Sequence, residues 1–169
     1  MRTIGNELSR RIPEVMGEAA SLAGECATAQ RLRAGVDELA ATFAALLRWA
    51  FGDPDDAEGR RAAAAGAVAA AVAHGRAGRP AGLDEDAVLH EYDLLRRAAL
   101  RVVLRLGERD VPRVYEVMAR LDDAISVATR AALLGYYAPE FEARGDWSHR
   151  LHALCAEAEP AGHWGRRNA

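Results

Sequence analysis

The sequence predicts an all-α protein: a single-domain bundle of five to six helices around an antiparallel αα-hairpin, with a globin-like arrangement as a variant of that class. Between Gly82 and Asp110 the apolar residues Val88, Tyr92, Leu95, Ala99, Val102 and Leu106 recur at alternating gaps of four and three, which gathers them into one stripe along a helix. The following segment repeats the rhythm at Val114, Met118, Leu121, Ile125, Ala128, Ala132 and Gly135, with only Gly107 to Asp110 between the two. A link that short turns the helices antiparallel with their stripes facing. The chain also lacks strand-like alternation and internal repeats, and its composition is half hydrophobic but only 6% aromatic, with Ala supplying much of the apolar count. Ala-rich helices with few large side chains pack at close range.

In chain order, Ile4, Leu8, Ile12, Val15, Met16, Ala19 and Leu22 keep helical spacing from Thr3 to about Gly24. Pro13 interrupts the donor ladder there, as a kink or as a restart with Pro13 in the first turn. The connection from Cys26 to Gly35 reads either as a loop or as a frayed continuation. Val36 to Phe51 forms a second helix with Leu39, Phe43, Leu46, Leu47 and Ala50 on one face, ended by Gly52-Asp53-Pro54 because Pro54 pushes Asp53 out of the helical region. Asp55 and Glu58 read as a capping-box analogue opening a third helix, Ala57 to His74. That helix is almost wholly Ala, Val and Gly, so a neighbouring backbone can approach it, and a central position follows.

Gly75 to Gly82 is a turn by composition. Asp84 is the expected N-cap of the organising helix, with Leu83 packing on Val88 as a hydrophobic staple. Asp110 caps the fifth helix, with Pro112 in its first turn, and Pro139 stops it after about Tyr137. Asp146 then caps a short last helix with Trp147, Leu151, Leu154, Cys155 and Ala158 on its apolar face, ending before Pro160. The domain is expected to span residues 1–159, with 160–169 a disordered tail.

At 169 residues the chain suits one domain that buries about two thirds of its unfolded surface. Its 22 basic residues are all Arg, which excludes Schiff-base lysine catalysis and a P-loop lysine. A net charge of −3 and pI near 6.0 argue against nucleic acid as a partner. Cys26 and Cys155 form no CxxC pair and read as free thiols of a reducing compartment. The first fifteen residues lack a continuous apolar core, so no signal peptide is expected. The apolar run from Ala62 to Ala73 is shorter than the roughly 18 residues that span a bilayer. A soluble cytoplasmic protein with no membrane insertion follows.

His74, Gly82, Leu83, Leu89, Glu91-Tyr92 and Leu95-Arg96, followed by a long helix bearing Leu121-Asp122-Asp123-Ala124, resemble the N-terminal domain of RsbRD-type RsbT co-antagonists, a helical domain also found ahead of the catalytic parts of some bacterial histidine kinases. The likeness covers roughly Val36 to Tyr137 and centres on the EY..LR core. Gly78 stands where the family tends to place an Arg, and neither a STAS domain nor a kinase is expected after Tyr137. The resemblance implies a bacterial signal-input or protein-interaction role, with Glu91, Tyr92 and Arg96 as the motif residues.

Glu91 falls about 60° from the centre of its stripe, at the border of the buried face. A carboxylate there wants a partner, since an unpaired buried charge costs several kcal/mol. Arg96, Arg60, Arg61 and His74 are the candidates, and a structural ion pair is weighed against contact with a ligand or partner. Tyr92 lies in the stripe as a core residue needing one partner for its hydroxyl. Asp93, Arg97, Arg101 and Arg105 form a ridge at four-residue spacing, a solvated face or a dock for an acidic partner. His74 and His90 raise a haem alternative, but His90 lies opposite the stripe and His74 at a helix end, so no cofactor is expected. His149, His152 and Cys155 are weak metal candidates, with His163 as a fourth, because a spacing of three drifts about 60° per step around the helix. There is no GxSxG, GxGxxG or HExxH, Leu94 standing where the second histidine would be. The sequence therefore predicts a non-catalytic sensory or regulatory module acting on a signalling partner, with a homodimer or a small ligand as further expectations; a leftover seam at Val117, Ala124 and Ala131 faces either another helix of the same chain or a second subunit.

Overall fold

The computed structural model describes residues 4–24, 36–53, 55–107 and 111–158. Among them lie eight helices and no strand: α1 (Ile4–Arg10), α2 (Ile12–Ala23), α3 (Val36–Ala50), α4 (Ala57–Gly78), α5 (Glu85–Leu106), α6 (Val111–Tyr136), α7 (Ala138–Ala143) and α8 (Trp147–Ala158). The all-α class stands as the periodicity predicts. The helix count exceeds five to six because Pro13 and Pro139 each sit in the first turn of a new helix, where the missing N–H has no ladder bond to lose. Arg11 makes the first break, its N–H reaching back only to the Leu8 carbonyl at 3.0 Å. α6 ends at Tyr136, as expected, and Pro139 then opens α7. The expectations for Cys26, for the Cys26 to Gly35 connection, for Pro54, for Asp110 as a cap, for His163 and for the tail at 160–169 fall outside the described residues.

α6 runs through the middle, packing along α4 and also meeting α5, α3 and α8; α3 lies on α4, and α2 lies on α5. α4 and α6 approach backbone to backbone: a Cβ on Gly75 would overlap the Ala132 carbonyl, and one on Gly135 would overlap the Val72 carbonyl. Only residues without side chains allow that proximity. This corrects the reading of Gly75 to Gly82 as a turn, because α4 runs on to Gly78. Gly75 serves close approach inside a helix, and the real turn follows it. There Gly82 has φ +77°, and the Leu83 N–H closes on the Gly78 carbonyl at 3.0 Å.

Two aspartates fix the starts of the long helices. Asp84 accepts from the Ala87 N–H at 2.8 Å, as the sequence predicts. For α4 the cap is Asp56, which accepts from the Gly59 N–H at 2.8 Å, whereas Asp55 donates its own N–H to the Asp53 carboxylate at 2.9 Å. The expected cap therefore moves by one residue, Asp55 belonging to the turn before it. Leu83 and Val88 converge over Gly78, within 3.1 and 3.5 Å of where a Cβ would stand.

The two stripes close on each other. Val88, Tyr92, Leu95, Ala99 and Val102 are buried, as are Leu121, Ile125, Ala128 and Ala132. Gly107 meeting Val114 and Arg96 meeting Ser126 give α5 and α6 an antiparallel register. Val117, Ala124 and Ala131 are buried too, so of the two readings of that seam the fold takes the one in which it faces helices of the same chain. α8 packs on α4 and α6 through Leu154 and Ala158, with Arg130 and Glu157 paired at 2.5 Å and the Arg76 guanidinium 4.5 Å from the Trp147 ring centroid. Among the described residues no helix is long and apolar enough to cross a membrane.

Candidate functional site

α5 turns Glu91 and Tyr92 into the bundle, and α4 brings His74 to meet them. Glu91 is 4% exposed and His74 9% exposed. The His74 Nε2 lies 2.8 Å from the Glu91 Oε2, a hydrogen bond whose donor is whichever of the two groups carries the proton. Of the four candidate partners the fold selects the histidine, because Arg96 turns to α6, where its guanidinium pairs with Asp122 at 2.7 Å and reaches the Ser126 hydroxyl at 3.2 Å. Removing one partner of such a buried pair strands the other charge and costs about 3–5 kcal/mol.

Tyr92 packs edge-on to the His74 ring, with centroids 5.9 Å apart and planes at 79°. Its hydroxyl is buried without a hydrogen-bond partner among the described residues, where the sequence called for one. Burial, and then the negative charge of Glu91, push its pKa far above the usual phenol value, so Tyr92 stays protonated and is no base.

The arginine ridge of α5 finds acidic partners inside the chain. Arg105 grips Glu18 at 2.8 Å and Glu14 at 2.9 Å, Arg101 reaches Glu18 at 3.3 Å, and Arg97 pairs with Asp93 at 2.6 Å. Glu18 is held below the usual carboxylate range by Arg105 and then Arg101, and Glu14 by Arg11 and then Arg105. Arg101 and Arg105 are thus a strap between α2 and α5, while Arg97 pairs within α5.

His90 is exposed, and His74 has given its Nε2 to Glu91, so neither fits a haem axial position. On α8, His149 and His152 are exposed and Cys155 is half-buried. No three His, Cys, Asp or Glu side chains among the described residues cluster closely enough to hold a metal ion.

At the tip of the hairpin lies a feature that no motif marks. A groove of about 530 Å³ opens between α5 and α6, lined by Leu100, Leu104, Val111, Val114, Tyr115 and Met118, with Arg105 at its rim. Tyr115 is 74% exposed, Val111 59% and Leu104 50%. The signal was present: Leu100 and Leu104, then Val111 and Tyr115, are apolar pairs four apart, off the buried stripe on both arms. No family model, no curated protein and no solved structure matches the chain.

Proposed function

We propose that the chain is a non-catalytic bacterial regulatory module, acting in the cytoplasm, that modulates a signalling partner of the stress-response or two-component kind by binding it or a small ligand at the α5–α6 tip. The observation that carries this reading is the groove: Leu100, Leu104, Val111 and Tyr115 stand in solvent on two rigid helices, a clustering of apolar surface that marks interaction sites. Its volume lies within the range of small-molecule sites, and its apolar floor between parallel ridges suits an amphipathic helix.

The ionisable groups support a role without chemistry. Glu91 is satisfied by His74, Tyr92 is held neutral, and Arg101 and Arg105 are engaged by Glu14 and Glu18. The likeness to RsbRD-type input domains supports the pathway class. Its motif residues Glu91, Tyr92, Leu95 and Arg96 face the interior or pin α5 to α6, so the likeness bears on the scaffold and leaves the binding surface to the tip.

A photo-crosslinking amino acid at position 115, with a second at exposed position 149 as control, tests the reading in cells. A discrete adduct at 115, absent at 149 and lost when Leu104→Asp is added, is expected. No adduct above the control, together with no ligand-induced melting shift across a metabolite panel, would overturn it.

A further inference from the structure

We infer that the His74–Glu91 pair is a proton-operated clasp between α4 and α5. These two helices do not pack along one another; each packs on α6. Away from the turn that joins them, they are bridged by the His74–Glu91 hydrogen bond and the edge contact of His74 with Tyr92. Among the described residues the buried polar or charged side chains are Thr42, His74 and Glu91, and Thr42 returns its hydroxyl to the Glu38 carbonyl of its own helix at 3.0 Å. The electrical state of the core therefore turns on this pair.

With one proton between them, as imidazolium and carboxylate or as imidazole and carboxylic acid, the two groups are neutral overall and every charge is matched. A second proton leaves an imidazolium facing a neutral acid. Loss of the shared proton leaves a carboxylate facing a neutral ring. Either state places a net charge at side chains only 8% and 6% exposed, which a poorly polarisable interior penalises.

Among the described residues the charged groups on the surrounding helices are engaged elsewhere or exposed: on α1 and α2, Glu7 meets Arg10 and Arg11, and Glu14 and Glu18 are held by Arg105 and Arg101. On α4 itself, Arg76 and Arg79 point to Glu142 and Glu140 near α7, and Arg60 and Arg61 lie about 20 Å up the helix at 1.5 Å per residue. On α5, Asp93 is held by Arg97 and Arg96 by Asp122, His90 is exposed, and Glu85 takes the Tyr137 hydroxyl. On α6, Ala132 and Gly135 meet the α4 backbone at Gly75 and Val72, and Asp122, Asp123 and Arg130 are exposed. On α3, Asp37, Glu38 and Arg48 are exposed, as are His149, Arg150, His152 and Glu157 on α8.

A charged clasp opens toward water, which frees the last turn of α4. That turn and its cap carry Arg76, which lies 4.5 Å from the Trp147 ring centroid of α8 and pairs with Glu142 of α7, and Arg79, which pairs with Glu140 of α7. The proton count is thereby relayed to α7 and α8.

Melting of the full chain from about pH 5 to about pH 9, beside His74→Gln/Glu91→Gln, which keeps amide hydrogen bonding without a titrating group, tests the clasp. An unfolded histidine releases its proton near 6.5, and the same loss in the closed clasp would leave an unmatched carboxylate in the interior, so stability falls as pH rises. A fall in Tm of at least about 5 °C is expected for the native chain between about pH 6.5 and 9, with less than half of it in the double variant. Equal falls in both would overturn the proposal. Should the double variant not fold, the ring nitrogens of His74 and the carboxyl carbon of Glu91 are followed by NMR in the native chain. Both signals moving at every titration step supports the clasp, and each moving only at its own step overturns it.

Discussion

Where α6 crosses α4, Gly75 meets the backbone of Ala132 and Gly135 that of Val72, while at the far end of the same helix Val111 and Tyr115 stand in solvent beside Leu104. The first region has no room for one methyl group, and the second spends four large apolar side chains on water. Packing at the crossing is mutual, each helix supplying the glycine that seats the other. The tip has no such reciprocity: its side chains can change without moving a backbone. Demand for a fixed shape and capacity for a partner are thus segregated along one helix.

The largest effect is expected at the crossing. Gly75→Leu or Gly135→Leu forces backbone apart from backbone, and a loss of at least about 3 kcal/mol in urea unfolding is expected, more than ordinary overpacking because no flexible side chain can yield. A loss below about 1 kcal/mol would show that the helices can slide, and would erase the contrast between the two regions.

The crossing was half legible in the sequence. The Ala-rich run of α4 announced a helix that others approach closely, and its central place followed. Composition places Gly75 in the turn after it, because it cannot tell a glycine that bends a chain from one that admits a neighbour. The end of α6 near Tyr137 was legible from Pro139, but the new helix α7 was not, since a proline that ends one helix begins another with equal ease. The stripes and the Asp84 cap were legible because they are set by spacing within one helix. Glu91 was legible as a group in need of a partner, but the choice of His74 over an arginine depends on how α4 and α5 sit across α6. The tip escaped because an exposed Leu or Tyr is ordinary taken singly, and only the fold brings the two pairs together.

A smaller effect is expected at the strap that joins α2 to α5. Glu18 and Glu14 are held below the usual carboxylate range by Arg105, Arg101 and Arg11, so their contribution is present above the unfolded value of about 4.3 and is lost as pH falls through the folded values. Glu18→Gln should flatten the acid side of the melting profile and leave the neutral side nearly unchanged. These pairs are exposed, so the difference from the native chain should vanish at roughly 1 M salt. A difference that persists there would mean the strap is part of the core.

The smallest effect is expected where the exposed apolar area is greatest, and it bears most directly on the division between fold and interaction surface. Urea unfolding of Leu104→Ser/Tyr115→Ser, measured beside Gly135→Leu, should place the tip variant within about 0.5 kcal/mol of the native chain while the crossing variant collapses. A tip variant that loses as much stability as the crossing variant would contradict the account, because the groove would then belong to the core.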